Sequence, residues 1–433
     1  MSVSWRTIEP VPAGAMLTDP SLPARSERFR LGVNYWPSRT AMGWWQDFDE
    51  AETGGDLARI AHAGFDAVRL FLTWEDFQPA PDRVDTQMLD RLVAVADMAE
   101  QVGLAIMPTL FTGHMSGVNL IPAWALGGSH RDPRFRIVSR GQVVTSGLRN
   151  WYSDPEMARA QAWFAGEAAA ALQGHRSLWA WDLGNESSNC VPSPDPVSGR
   201  DWLRRTSEAI RTADPAALVT IGLHMEDLEE GRLPGPADAA RDCDFLTMHG
   251  YPIYARWADG PTDEQVLPFL AHLTSWLGEG ADVLFAEFGL PTFRASASGA
   301  RASAADAVGR EGAVVLVEEG AAAAYIERAL SALHSAGCLG AMLWCFADYA
   351  TAAWAAPPLD EAIHERSFGL WRADGSAKPS LAAVEAFAGV ARRGRLRDHD
   401  WIDIDADELT AHPARHIPRL YRRFRERSAA GPM

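Results

Sequence analysis

The run LWAWDLGNE at residues 178–186 decides the fold class, because it is apolar almost to its end and then closes on Gly-Asn-Glu. A strand that is apolar on both faces is typical of a parallel sheet covered by helices. In closed sheets of this kind the functional residues lie at the carboxyl ends of the strands. The ending therefore predicts that Glu186 lies where chemistry takes place.

Seven further runs have the same apolar character, at 31–36, 66–74, 104–111, 217–224, 244–254, 282–289 and 340–349. Amphipathic helical patterns separate them, among them 86–103, 154–174, 318–337 and 380–393. Repeated alternation of strand and helix predicts an α/β protein with a single (β/α)8 TIM barrel rather than an open doubly wound sheet. No glycine-rich phosphate loop follows the first strand, which further disfavours a dinucleotide fold.

The expected barrel occupies residues 31–394 of the 433-residue chain. An N-terminal extension (1–30) and a C-terminal helical appendix (395–433) flank it. Insertions carry barrels of this type past 400 residues within one domain. Long insertions at 114–153, 290–313 and 350–379 each follow a strand, where such loops build the catalytic face.

Composition excludes several classes of partner. The formal net charge of −17 repels phosphate backbones, so we expect no nucleic-acid partner. No run approaches the roughly eighteen apolar residues of a membrane span, so we expect no membrane partner. The composition leaves the oligomeric state open.

Cysteine usage and the first residues bear on redox state and location. The four cysteines form no C-x-x-C pair and have no histidine spacing suited to zinc, and we expect neither a metal nor another cofactor. The first twenty residues lack the basic and apolar segments of a signal peptide. We therefore expect a cytoplasmic protein with reduced thiols.

Polar and aromatic side chains collect at the predicted strand ends: Arg69, His114, Asn185, Glu186, His249, Tyr251, Glu287 and Trp344. Two glutamates on opposite walls of a pocket can cleave a glycosidic bond, one protonating the departing oxygen and the other attacking the anomeric carbon. Burial and its partner's charge should raise the pKa of the acid.

The remaining side chains suit supporting roles around such a pair. Arg69 and Tyr251 can keep the nucleophile ionised, although Arg69 could instead neutralise Asp66 or Glu75. Asn185 can bind the sugar 2-hydroxyl, and Trp344 can form the floor of the sugar site. Neighbouring strand residues face opposite sides, so Asn185 can serve the same pocket as the residue after it only if the strand is irregular at 184–185.

This set of residues, taken strand by strand over 30–393, resembles glycoside hydrolase family 5, in the clan of retaining (β/α)8-barrel glycosidases. The resemblance implies that Glu186 is the general acid/base and Glu287 the nucleophile, with a covalent glycosyl-enzyme intermediate. It also implies that His114 and His249 belong to the site.

Three stretches, GVNYWPS, WEDFQP and FTGHMSG, are similar to the β-mannosidases and mannanases of that family. We expect an exo-acting, retaining β-mannosidase on short oligosaccharides, with mannose β-linked to N-acetylglucosamine as one candidate. Trp36 and Trp124 are the candidate sugar platforms of further subsites.

Three alternatives stay open: an endo-β-mannanase or β-glucosidase/glucanase, a transglycosylase, and a non-catalytic carbohydrate-binding barrel. The last would need the loss of at least one carboxylate, and both are present.

Overall fold

The structure is a computed structural model that describes residues 28–294, 307–309 and 312–430. Eight parallel strands form its central sheet, as the sequence predicts, and we number them in chain order: β1 (Arg30–Tyr35), β2 (Ala67–Thr73), β3 (Ala105–Thr112), β4 (Trp181–Asn185), β5 (Val219–Gly222), β6 (Leu246–His249), β7 (Val283–Phe288) and β8 (Gly340–Leu343). Nearly every residue of these strands is buried, which explains their continuous hydrophobicity.

The strands follow one another around a nearly closed barrel. Hydrogen-bonded neighbours run β5-β4-β3-β2-β1-β8-β7-β6. The remaining gap is bridged where His224 pairs with His249 and where the His249 amide donates to the Leu223 carbonyl at 2.9 Å. The (β/α)8 TIM-barrel prediction is confirmed.

Helices surround this barrel: α1 (Glu50–His62), α2 (Thr86–Gln101), α3 (Pro155–Ala171), α4 (Pro196–Ala213), α5 (Val266–Leu277), α6 (Glu319–Ala336) and α7 (Ser380–Glu385). Asp154 caps α3 by accepting from the Glu156 and Met157 amides. Between β5 and β6 there are only the short helices Met225–Glu229 and Pro236–Ala239, because glycines and prolines interrupt the chain there. The predicted helix 380–393 ends early, at Glu385.

The insertion after β3 builds a sheet of its own. Its strands are His114–Met115, Val118–Leu120, Arg136–Ser139 and Gln142–Val144. Arg136 donates to both carboxylate oxygens of Asp360, at 2.9 and 2.6 Å, and so ties this insertion to the 350–379 segment after β8. The predicted insertion 290–313 lies partly outside the described residues.

The C-terminal residues form α8 (Ala406–Ala411) and α9 (Pro413–Ala430). The Tyr421 ring lies 5.1 Å from that of Phe269 on α5, and Arg425 pairs with Asp263 at 2.7 Å. The helical appendix therefore packs on the outside of α5. Most of the predicted N-terminal extension (1–27) lies outside the described residues, and the predicted domain limits stay a prediction. Within the part described, no helix is long and apolar enough to cross a bilayer.

The only lysine of the chain anchors the segment after β8. Lys378 is buried, and its Nζ donates to Asp348 Oδ1 (2.6 Å), Thr292 Oγ1 (2.7 Å) and the Ser367 carbonyl (2.9 Å). Asp348 also accepts from the Gly369 amide at 2.9 Å. Asp348 therefore helps to hold the segment after β8 in place.

We expect Lys378→Met to lower the free energy of unfolding by about 3 kcal/mol, because it leaves the partly buried Asp348 carboxylate without its cation. Urea denaturation measures the change. The exposed i,i+4 pair of Arg204 and Glu208 supplies the control: Arg204→Gln should cost less than about 0.5 kcal/mol. Equal changes in the two variants would contradict the anchoring role.

Candidate active site

The predicted site residues come from different strands and meet at the carboxyl end of the barrel. Arg69 lies within β2 and Glu287 within β7, while Asn185 and His249 are the last residues of β4 and β6. Glu186 directly follows β4. This is the face on which barrel enzymes carry their catalytic groups.

A fully buried guanidinium lies at the centre of the site. Arg69 donates from Nη1 to Glu287 Oε1 at 2.5 Å and from Nη2 to Asp182 Oδ2 at 2.6 Å. It also donates to Asn185 Oδ1 at 2.9 Å and to Asn34 Oδ1 at 3.1 Å. Burial alone would lower the pKa of Arg69, but the two carboxylates outweigh it and raise the pKa. Arg69 is therefore a fixed positive charge beside Glu287.

The alternative partners of Arg69 are occupied elsewhere. Asp66 accepts from Arg30 at 3.2 Å, and Glu75 accepts from the Ser139 hydroxyl at 3.0 Å and the Arg140 amide at 2.6 Å. Arg69 therefore pairs with Asp182 and Glu287 rather than with Asp66 or Glu75.

Both oxygens of Glu287 are held. Oε1 accepts from Arg69, and Oε2 accepts from the Tyr251 hydroxyl at 3.0 Å. Glu287 is 4% exposed, so this carboxylate is buried but fully satisfied. Donors on both oxygens fix the position of the carboxylate, which a nucleophile needs if it is to attack from one direction.

Strand β4 is irregular, as predicted, just before Glu186. Asp182 pairs with Thr220 and Asn185 with Gly222, so β4 carries one more residue than β5 over this stretch. The extra residue lets Asp182 and Asn185 both reach Arg69. Glu186 then takes a left-handed backbone conformation, with φ of 46°.

Polar side chains surround the Glu186 carboxylate. His249 Nδ1 lies 3.0 Å from Oε1, and Asn189 Nδ2 donates to Oε2 at 3.1 Å. His114 Nε2 and His224 Nδ1 each lie 3.8 Å from Oε2. His249 also lies 3.6 Å from Glu287 Oε1, and therefore stands between the two carboxylates.

The electrostatics of Glu186 differ from the expectation of a raised pKa. Burial does act to raise it, but interactions with the imidazoles of His224, His249 and His114 outweigh burial and hold the pKa of Glu186 well below its ordinary value. The expectation was wrong because it took account of burial and the second carboxylate but not of the three imidazoles. In coupled sites of this kind the proton belongs to the group as a whole.

Sequence reasoning missed His224 and its support. His224 Nε2 lies 2.9 Å from the Ser188 hydroxyl and 3.3 Å from Asp227 Oδ1. Burial alone would lower the pKa of His224, but Asp227 and then Glu186 raise it to about 9. The available signal was its position at the end of the apolar run 217–224, as for the other site residues.

A third glutamate, also missed, lies beside the predicted sugar floor. Trp344 directly follows β8, packs edge-on against Phe71 at 5.8 Å, and donates from Nε1 to Glu365 Oε2 at 3.2 Å. Glu365 is buried in the insertion after β8, and no pattern in the sequence pointed to it.

The two candidate platforms are packed into the protein. Trp36 is 1% exposed and stacks on Phe71 at 5.3 Å. Trp124 packs edge-on against Trp74 at 5.2 Å and donates to the Gln78 carbonyl at 2.9 Å. Neither tryptophan hydrogen-bonds to a carboxylate of the site in the described residues. Their assignment to subsites stays a prediction.

The spacing of the two carboxylates limits their chemistry. One ligand atom each of Glu186, His249 and Glu287 lies within 4.8 Å of the others. Metal ions can bind groups of this spacing, but here Arg69 and Tyr251 already occupy the oxygens of Glu287. These two oxygens are closer together than the roughly 6.5–9.5 Å that inverting glycosidases leave between their carboxyl groups for a water molecule.

Known proteins are similar to this chain in sequence and in fold. A sequence model described as cellulase (glycosyl hydrolase family 5) matches residues 30–317. No curated protein matches the chain significantly in sequence.

Among solved structures, the exo-beta-1,4-mannosidase Op5Man5 from Opitutaceae bacterium strain TAV5 is 30% identical, with a TM-score of 0.67. The match covers 84% of this chain and 60% of Op5Man5, so the chain spans less than two thirds of that enzyme. A GH5_18 variant from Streptomyces cattleya, in complex with Manb1-4GlcNAc, is 25% identical, with a TM-score of 0.66 and coverage of 83% and 80%.

We expect the destabilisation caused by His224→Asn to depend on pH. A folded-state pKa of about 9, above the ordinary 6.5, contributes stability that is complete below pH 6.5 and is lost as the pH rises through 9. The variant should therefore lose more free energy of unfolding at pH 6 than at pH 9.5, by on the order of 3 kcal/mol. Urea denaturation at the two pH values measures this.

His272 is the matched control, since burial lowers its pKa to about 4. His272→Asn should show the opposite trend, because a histidine buried neutral stabilises less as the pH falls. A His224→Asn cost that is the same at both pH values would refute the buried imidazolium.

Proposed function

The chain belongs to glycosyl hydrolase family 5, and from that premise we propose that it is a retaining β-glycosidase in which Glu287 is the nucleophile and Glu186 the general acid/base. The observation that carries the proposal is the pair of carboxylates within 4.8 Å of each other in unlike surroundings. Glu287 is fixed by Arg69 and Tyr251, whereas Glu186 is surrounded by imidazoles that can exchange protons with it.

In the first step a Glu287 oxygen attacks the anomeric carbon while the bond from that carbon to the leaving oxygen breaks. The leaving oxygen takes a proton from Glu186, which draws on the shared protons of the histidines around it. In the second step Glu186 removes a proton from water, the water oxygen bonds to the anomeric carbon, and the Glu287 carboxylate leaves. Asn185 suits a contact with the 2-hydroxyl because it is fixed beside Arg69.

We infer exo action on short β-mannosides from the two insertions that approach each other over one side of the site. Arg136 pairs with Asp360, and the Ser116 hydroxyl donates to Glu365 at 3.0 Å. Insertions joined in this way favour a pocket for a terminal sugar over the open groove that an endo-acting mannanase or glucanase needs. The names of Op5Man5 and of the Manb1-4GlcNAc complex support mannose as the terminal sugar.

The remaining assignments follow from the proposed chemistry. A transglycosylase would use the same two glutamates and differ only in the acceptor, while a binding-only barrel would not need the charged surroundings of Glu186. We propose a small oligosaccharide as the substrate.

We expect Glu287→Gln to bind substrate and lose turnover by at least about 10⁴-fold, because the amide is a poor nucleophile. Glu186→Ala should still form the glycosyl-enzyme from a dinitrophenyl glycoside, which needs little protonation to leave. Stopped-flow release of dinitrophenol and mass spectrometry of the trapped intermediate measure both effects. Glu208→Gln, on the exposed face of α4, is the control, and a fully active Glu287→Gln enzyme would refute the mechanism.

We expect nitrophenyl β-mannoside and Manβ1-4GlcNAc to be cleaved, and manno-oligosaccharides to release mannose one unit at a time from the non-reducing end. Chromatography of reducing-end-labelled products measures this. Cleavage of β-glucosides without β-mannosides would refute the sugar assignment, and internal cleavage products would refute exo action.

A further inference from the structure

A third carboxylate lies beside the catalytic pair. Glu365 belongs to the turn Ile363–Ser367 in the insertion after β8, and its side chain is 9% exposed. It is near enough to Glu287 and Glu186 for their charges to act on it: burial first, and then those two carboxylates, raise the pKa of Glu365 to about 7. The proposed mechanism gives this residue no role.

The two oxygens of Glu365 have different surroundings. Oε2 accepts from the Ser116 hydroxyl at 3.0 Å and from Trp344 Nε1 at 3.2 Å. Oε1 receives no hydrogen bond from the residues that the structure describes, and its nearest basic atom is His364 Nε2 at 3.4 Å. That nitrogen is already engaged with the Tyr254 hydroxyl at 2.9 Å. One carboxylate oxygen is thus fixed and the other is left for a donor.

The position of Glu365 relative to Trp344 indicates which group of a bound sugar could donate a hydrogen bond to Oε1. Trp344 is the proposed floor beneath the reacting sugar, and the carboxylate is bonded to the edge of that floor. The anomeric carbon must face Glu287 and Glu186, and the 2-hydroxyl is assigned to Asn185. The group that can contact Glu365 is therefore a hydroxyl at the end of the sugar ring remote from the scissile bond.

Such a contact distinguishes a chain end from the interior of a chain. A free hydroxyl can donate to the carboxylate, but a glycosylated oxygen carries no hydrogen. An internal sugar would therefore leave a buried carboxylate oxygen unpaired, and sites built to bond a hydroxyl reject ligands that lack it strongly.

We propose that Glu365 is the specificity-determining residue for the chain end: its Oε1 accepts a hydrogen bond from a hydroxyl of the terminal sugar at the position where an internal sugar would carry the rest of the chain. This inference rests on the proposed function. It assigns the exo restriction to one side chain, fixed by the two joined insertions.

The test compares nitrophenyl β-mannoside with its 3-deoxy, 4-deoxy and 6-deoxy analogues. We expect wild-type kcat/KM to fall about 10- to 100-fold for one analogue, as for loss of a charged hydrogen bond. Glu365→Gln and Glu365→Ala should be slower on the parent substrate, yet should lose little further on that same analogue. If Glu365 had only a structural role, its substitution would lower kcat/KM equally for the parent substrate and all three analogues. Glu385→Gln, on the exposed face of α7, is the control and should behave as wild type.

The outcomes are distinguishable. If wild type cleaves the parent and the three analogues lose equally in wild type and in the Glu365 variants, this inference fails while the proposed function stands. If wild type does not cleave nitrophenyl β-mannoside, the proposed function fails and the inference falls with it. The analogue series on wild type needs no variant, so a poorly folded Glu365→Ala protein does not obscure the result.

Discussion

The site depends on one interaction, the burial of the Arg69 guanidinium inside the barrel. An unpaired charge there would be very unfavourable, so the fold must supply carboxylates around it. Asp182 and Glu287 do so from different strands, and the side-chain oxygens of Asn34 and Asn185 complete its hydrogen bonds. The contacts that stabilise the guanidinium also fix the proposed nucleophile, Glu287, and the side-chain amide of Asn185. Stability and chemistry therefore share the same contacts.

Glu186 is governed by the opposite arrangement, since it faces ionisable imidazoles rather than a permanent charge. The irregular end of β4 brings Glu186 to these imidazoles. The extra residue there allows neighbouring side chains of the strand to face the same side of the sheet. Glu287 lies beside a permanent charge, whereas Glu186 lies among histidines, with which a carboxylate can share a proton. This contrast between the two glutamates supports the different roles that we propose for them.

Much of this arrangement was accessible from the sequence, because apolar runs with polar ends are a direct consequence of strands that are buried along their length and functional at their carboxyl ends. Arg69, Glu186 and Glu287 stood out for that reason, and the irregularity before Glu186 followed from the alternation of strand faces. The site residues that the sequence did not predict are positioned by tertiary contacts. His224 was visible only as the end of one more run, and Glu365 reaches the site from an irregular segment whose course no periodicity predicts.

The anchoring of the segment after β8 has a practical consequence. Lys378 is the only lysine of the chain, and it belongs to that segment and is only 3% exposed. Amine-reactive reagents thus meet no accessible lysine side chain while the segment is closed. Acylation of this side chain would report how often its contacts with Asp348, Thr292 and Ser367 open. The molecule thus contains its own chemical probe of this anchor, without any engineered label.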